Sequence, residues 1–184
     1  METTLRQRRV DNEAKILSVL AQANPDGLEI LDVSPGLGSF RICLGRTSGI
    51  LRRSFPCLVA ARHEAEISFP RFFPDAPIEM RLLAPVFHPN IDPVNGFVCL
   101  WDRFSCGDTV AEALRRLQQI IAWKLFNLEA RHLMQPEAAE WSRHPDRPLP
   151  LEFTPLTVPL ELVPQAYPGR GKTHRPRRRL EHLG

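Results

Sequence analysis

The sequence has few long apolar runs, which membrane-spanning chains require. Its longest apolar stretches, such as residues 120–123, fall far short of the roughly 20 residues that a transmembrane helix needs. Segment 1–10 is polar and arginine-bearing, with no apolar stretch behind it, and predicts no export signal. We therefore expect a cytoplasmic protein with no membrane partner.

Cysteine is scarce and irregularly spaced. The four cysteines form no CxxC pair, so neither a disulfide framework nor a common zinc motif is predicted. Cys43 and Cys57 lie within apolar strand patterns and are expected in the core. We predict no metal and no cofactor, because a zinc site would need a set that matches no usual ligand spacing: His88, Cys99, Cys106 and His132.

Lysine is rare, and the positive charge is concentrated near the C-terminus, where six basic residues lie between positions 170 and 179. We divide the chain into a folded domain (1–145), a proline-rich extended segment (146–168) and a basic disordered tail (169–184). The tail could contact phosphates nonspecifically, but nothing in the folded part indicates base recognition. No specific nucleic-acid partner is therefore predicted.

Hydrophobic periodicity predicts an α+β domain. An amphipathic helix should begin near Leu5 and stop at the Asn24-Pro25-Asp26-Gly27 turn. Thr109 and Glu112 predict a capping box opening a second helix that runs to about Lys124, and Pro136 opens a short third helix. Between the first two helices, short strands in an antiparallel meander are predicted over four ranges: 28–33, 40–44, 58–69 and 78–83.

The irregular stretch between the strands and the second helix carries three ordered motifs. Residues 69–77 read Phe-Pro-Arg-Phe-Phe-Pro-Asp-Ala-Pro, residues 88–91 His-Pro-Asn-Ile, and residues 96–100 Gly-Phe-Val-Cys-Leu. In this order and spacing they resemble the core of the ubiquitin-conjugating enzyme (E2) family. The resemblance implies the UBC fold: an N-terminal helix, an antiparallel meander of about four strands, a long active-site loop and C-terminal helices.

The resemblance also implies a role for the motif residues. Cys99 would accept a ubiquitin-like modifier as a thioester from an E1-like enzyme and pass it to an amine on a target protein. Asn90 would stabilise the oxyanion or order the loop, while His88 and Pro89 would hold the turn. No His or Lys neighbours Cys99 in sequence, so no unusually activated thiolate is predicted.

Two further sets of residues follow from the family pattern. The acidic residue that assists the incoming amine would be Glu129 in segment 127–132, or alternatively Asp102 just after the cysteine. Arg6, Arg8 and Arg9 on the first helix would face the E1-like enzyme, although they could equally form a solvated charged face.

Three departures from the pattern narrow the resemblance. The stretch from Asn90 to Cys99 is one residue longer than is common. The connection from Cys99 to Thr109 is shorter and lacks the Trp-Ser-Pro element that many members present to RING ligases. The family's Asp-Asp-Pro-Leu segment is also replaced. These features argue against a RING partner. With them, the chain resembles the E2-like proteins of bacterial ubiquitin-like conjugation operons, some of which act in antiphage defence. The alternative is a non-catalytic interaction scaffold on the same fold.

Overall fold

The computed structural model describes residues 4–54, 57–144 and 152–162. Along the chain lie helix α1 (Leu5–Ala23), strands β1 (Leu28–Ser34), β2 (Ser39–Leu44), β3 (Gly49–Arg52), β4 (Leu58–Ala60), β5 (His63–Ser68) and β6 (Glu79–Leu82), helices α2 (Val110–Ile121) and α3 (Pro136–Ser142), and two 3₁₀ turns, Ala130–His132 and Leu160–Leu162. The predicted order of helix, strands, long loop and helices is confirmed. No helix in these ranges has the length and apolarity to cross a bilayer.

The central sheet is a four-stranded antiparallel meander in the order β1-β2-β5-β6, as predicted. The expectation of one continuous strand over 58–69 is wrong, because β4 pairs with β3 in a separate two-stranded sheet. The chain turns between Ala60 and His63, where the His63 ring bonds the carbonyls of Thr47 and Ala60 at 3.0 and 3.2 Å. A Cβ at Gly49, the first residue of β3, would lie 2.6 Å from the Ile121 side chain. The β3–β4 pair therefore packs tightly on α2.

Helix α2 lies against the sheet along the stripe that the sequence predicts. Its buried side chains include Val110, Ala113, Leu114, Leu117, Ile120 and Ile121. The predicted capping box is wrong: the Thr109 side chain makes no capping hydrogen bond, and the Glu112 carboxylate binds Arg115 and Arg116 instead. The Glu13 side chain of α1 caps the helix instead, because it accepts the Val110 N–H at 2.8 Å. This hydrogen bond connects α1 to α2. The helix ends at Ile121, before a left-handed Trp123 with φ 56°.

Residues 152–162 run back over the domain in a largely extended path. Ser48 donates its N–H to the Glu152 carbonyl at 3.0 Å, and the Leu156 side chain packs against the core. The fully buried Gln118 of α2 donates to the Thr154 carbonyl at 3.0 Å. This segment therefore packs onto the domain. The predicted basic tail, 169–184, lies outside the described residues.

Candidate functional site

Cys99 lies in the long loop between β6 and α2, where backbone hydrogen bonds hold it on two sides. On one side, Val98 donates its N–H to the Met80 carbonyl of β6 at 2.9 Å. On the other side, Ile91 and Val98 form a bridge, and the Cys99 N–H donates to the Asn90 carbonyl at 2.9 Å. The main chain of the cysteine is therefore fixed between the sheet and the His-Pro-Asn turn.

The extra residue between Asn90 and Cys99 is accommodated in a local turn. The Asp92 carboxylate accepts two backbone N–H groups of the turn, at 2.8 and 3.1 Å. Gly96 closes it at φ 72°, where a Cβ would lie 2.0 Å from the Leu82 carbonyl oxygen and only glycine fits. The lengthened loop thus keeps Asn90 and Cys99 in backbone contact.

The Cys99 side chain is half-buried and borders a cavity of about 190 Å³. Burial raises the pKa of the thiol, and the nearby Asp102 carboxylate raises it further, whereas Arg131 and the Trp101 backbone N–H act in the opposite direction. The neutral thiol therefore predominates at neutral pH, in accord with the prediction of no unusually activated thiolate. The other lining residues include Ile78, Glu79, Phe97, Trp101, Arg103 and Phe104.

Asn90 is buried, and its side chain is fully engaged with the segment that precedes α3. Its Nδ2 donates to the carbonyls of Asn127 and His132 at 2.6 and 2.9 Å, and its Oδ1 accepts the Asn127 N–H at 2.7 Å. An asparagine amide has two donor hydrogens, so both are used. In this arrangement Asn90 orders the 127–132 segment and has no free donor for an oxyanion.

His88 is fully buried and Pro89 is buried inside the same turn. The His88 Nδ1 accepts the Asn90 N–H at 3.2 Å, and its ring lies edge-on to Trp123 at 4.8 Å between centroids. Burial lowers the pKa of His88 to about 3, so the ring is neutral at physiological pH. The Pro89 carbonyl accepts the Met134 N–H at 2.8 Å. These contacts fit a residue pair that holds the turn.

The fold places a histidine beside Cys99, although the two residues are far apart in the sequence. His132, at the end of the 3₁₀ turn, places its Nδ1 3.0 Å from the Cys99 Sγ. Its Nε2 lies 3.7 Å from Oδ1 of Asp102, and Asn127 Nδ2 donates to the same oxygen at 2.6 Å. The sequence analysis considered His132 only as a zinc ligand. The sequence carried one signal for this role: His132 ends segment 127–132, in which a residue that assists the amine was predicted.

Comparisons with known proteins agree on the fold. No protein-family model matches the chain. A solved structure from Trypanosoma cruzi, provisionally assigned as a ubiquitin-conjugating enzyme, superposes with a TM-score of 0.57 and 14% identity over 79% of this chain and 95% of its own. One from Plasmodium yoelii, assigned in the same way, gives 0.53 and 16%, covering 79% of this chain and 88% of its own. The fold is the UBC fold.

The curated relatives support the E2 family. Ubiquitin-conjugating enzyme E2 K from human, cattle and mouse is 33% identical over 64 residues, which cover 33% of this chain. The matched segment spans about a third of the relatives' length, 32%. This partial similarity agrees with the UBC fold that the solved structures show over 79% of the chain.

The two candidate acids of the UBC-fold domain have different surroundings. The Glu129 carboxylate is 61% exposed and forms an ion pair with Arg131 at 2.9 Å. Asp102 is 54% exposed and lies beside His132. Asp102 is thus the carboxylate in direct proximity to the cysteine–histidine pair, whereas Glu129 is bound to a neighbouring cation.

The arginines of α1 contribute largely to internal contacts. Arg6 donates to the carbonyls of Phe69 and Pro70, and Arg9 pairs with the buried Glu13 at 3.2 Å. Arg8 is exposed. The face predicted for an E1-like enzyme therefore also anchors α1 to the loop that follows β5.

The remaining cysteines lie away from this chemistry. Cys43 is buried, as predicted, but Cys57 is only half-buried, so its assignment to the core is wrong, and Cys106 is exposed. β4 begins at the residue after Cys57, and the exposed Leu58 and Val59 show that this short strand is not part of the core. Within the described residues, no three His, Cys, Asp or Glu side chains converge to hold a metal ion.

Proposed function

We propose that the protein is an E2-like conjugating enzyme that carries a ubiquitin-like modifier as a thioester on Cys99. The observation that supports this most directly is the position of the thiol: half-buried at the edge of a cavity, with its backbone fixed to Asn90. Such a site presents sulfur to an incoming acyl group while holding the chain still. The UBC fold and the similarity to E2 K add to it.

The chemistry balances without a cofactor. The Cys99 sulfur attacks the carbonyl carbon of the modifier's thioester on the E1-like enzyme. A new C–S bond forms, the old C–S bond breaks, and the thiol proton passes to the departing sulfur. In the second step an amine of the target attacks the same carbon, the amide forms, and Cys99 regains its proton.

The partners in this proposal are an E1-like activating enzyme, a ubiquitin-like modifier and a target protein, in the cytoplasm. The shortened connection from Cys99 to α2 supports operation without a RING ligase, and it supports a bacterial conjugation operon, with a role in antiphage defence, as the setting. Neighbouring genes for a modifier, an adenylating enzyme and a JAB-type protease would be the genomic counterpart of this setting.

The experiment that tests the proposal is a loading assay with an E1-like enzyme, its ubiquitin-like modifier and ATP. We expect an adduct of the full chain that disappears with reducing agent and is absent in Cys99→Ala. The matched control is Cys106→Ala, which removes the exposed thiol and should leave the adduct intact. An adduct that survives in Cys99→Ala contradicts the proposal. Modifier binding without any covalent adduct would instead support the scaffold alternative.

A further inference from the structure

The His132 ring differs from the other buried histidines in what it contacts. His63 bonds two backbone carbonyls, and the His88 Nδ1 accepts a backbone N–H. The His132 ring is also nearly buried, but in the part of the chain that the structure describes it has no hydrogen-bond partner apart from the Cys99 sulfur. A histidine kept for packing would be expected to bond the backbone through a ring nitrogen, as Nε2 of His63 and Nδ1 of His88 do.

We propose that His132 is the general base of Cys99 and that Asp102 orients its imidazole. This inference rests on the proposed function and adds the residue that moves the proton. The 3.0 Å separation between Nδ1 and Sγ is within the range of a direct hydrogen bond to sulfur. Because His132 touches the reacting atom itself, it is a catalytic residue in this reaction.

Asp102 and Asn127 set the state of the ring. For Nδ1 to accept a proton from the thiol, the ring proton must sit on Nε2, the nitrogen that faces the Asp102 carboxylate at 3.7 Å. A negative charge there favours that tautomer and stabilises the imidazolium once it forms. Asn127 Nδ2 fixes the carboxylate by donating to Oδ1 at 2.6 Å. Asp102 and Asn127 are therefore positioning residues.

The proton path accounts for both steps. During loading, the thiol proton moves to Nδ1 of His132 as the sulfur attacks the incoming thioester carbonyl, and it then passes to the departing E1 sulfur. During discharge, the attacking nitrogen gives its proton to Nδ1 as the C–N bond forms. The C–S bond then breaks, and the imidazolium returns the proton to Cys99. One acyl group moves, and the base ends each cycle neutral.

The charges around the pair suit a base that acts within the step. The thiol is mainly protonated before attack, so a neighbouring acceptor is required as sulfur becomes nucleophilic. The charged groups around the pair are Asp102, whose carboxylate lies 3.7 Å from His132 Nε2, and Arg131, whose positive charge lowers the pKa of the Cys99 thiol. Glu129 pairs with Arg131 at 2.9 Å and offsets that positive charge.

The first test measures the pairing with iodoacetamide and needs no biological partner. Alkylation of Cys99 in the full chain is followed by peptide mass spectrometry from pH 5 to 9, with Cys106 as an internal reference. In the wild type, Nδ1 of His132 should accept the thiol proton as the sulfur attacks the reagent, so that the protonated thiol can react. At neutral pH we expect His132→Asn to react at least about 10-fold more slowly, since a positioned general base contributes roughly 10²-fold or more.

Three variants make this test specific. His144→Asn, at an exposed position beyond α3, should behave like the wild type. Asp102 is 54% exposed, so Asp102→Asn should fold, and it should react more slowly than the wild type at neutral pH because His132 Nε2 loses the carboxylate that faces it. Identical profiles in the wild type and in His132→Asn, or an unchanged profile in Asp102→Asn, overturn the inference.

The second test follows the acyl group. Cys99 is charged with the thiophenyl ester of acetylglycine, and discharge to lysine is timed across the same pH range. We expect His132→Asn to discharge at least about 10²-fold more slowly and to change the shape of the rate–pH profile, because the proton acceptor is lost. A slower variant whose rate–pH profile keeps the wild-type shape, or no change at all, refutes the base while leaving the proposed function standing. A wild type that accepts no acyl group overturns both.

Discussion

Asn90→Ala separates the two roles that the family pattern allows for this residue. If Asn90 mainly donates to an oxyanion, its loss should slow transfer and leave the fold unchanged. In the structure both of its amide hydrogens already bond the carbonyls of Asn127 and His132, and its oxygen accepts the Asn127 N–H. We therefore expect the substitution to destabilise the protein and to free the segment that carries the general base.

The size of the loss follows from those three bonds. A typical intramolecular hydrogen bond contributes about 1 kcal/mol net, and buried groups left unpaired cost more. Removing three at a residue that is 2% exposed should lower the free energy of unfolding by about 3 kcal/mol. For a chain of this size the melting temperature should fall by roughly 6–12 °C.

Urea unfolding of the full chain measures this loss, and an isosteric variant sharpens it. Asn90→Asp keeps the acceptor for the Asn127 N–H but points a carboxylate oxygen at two carbonyls, so it should be at least as damaging as Asn90→Ala. Asn12→Ala, at an exposed position on α1, is the control and should change stability little. If Asn90→Ala kept wild-type stability and only transfer slowed, the loop-ordering argument would be refuted.

Two further predictions concern pH and have opposite signs. Burial holds the pKa of His88 at about 3, so the unfolded state binds more protons than the folded state between about pH 3 and 6.5. The wild type should therefore lose stability as pH falls through that window, by up to ~1.4 kcal/mol per pH unit. Urea unfolding at each pH should show a flatter slope for His88→Asn. Burial raises the pKa of Glu13, so ionising its carboxylate lowers the stability of the folded state as pH rises above about 4.5. Between pH 4 and 7 the free energy of unfolding of Glu13→Gln should therefore rise relative to the wild type. A relative fall would contradict this reasoning.

The parts of the fold that sequence predicted are those in which the local pattern and the tertiary environment agree. The apolar stripe of α2 is buried as its period indicates, and the turn after α1 comes where Asn24 and Pro25 indicate it. In both cases the residues that define the element also make its contacts. The UBC fold follows from the order of such elements together with the loop motifs.

The errors arise where a distant partner decides. The cap of α2 looked local, yet the Val110 N–H is taken by Glu13, 97 residues earlier in the chain. The range 58–69 is apolar enough for one strand, but β3 captures its first part and β2 its second. Local propensity predicts neither the Glu13 cap nor the split of range 58–69, because both depend on which distant residues pack beside them in the folded protein.

The site shows the same division. Motif order located Cys99, Asn90 and His88, but His132 lies 33 residues from the cysteine and belongs to no motif of the sequence analysis. Glu129, predicted to assist the amine, lies in the same segment as His132 and pairs with Arg131. An imidazole can accept a proton as a carboxylate can, so residue type alone does not separate the two side chains.

The contacts of Asn90 and Asn127 explain why the general base can be placed accurately on an irregular segment. Asn90 holds the backbone at both Asn127 and His132, while the Asn127 side chain holds the carboxylate that faces the imidazole. The main chain of Asn90 also accepts the Cys99 N–H. One asparagine thus links the backbone of the nucleophile to the backbone of its base. The same residue type that could stabilise an oxyanion directly instead fixes the spacing between sulfur and imidazole, on which proton transfer depends most steeply.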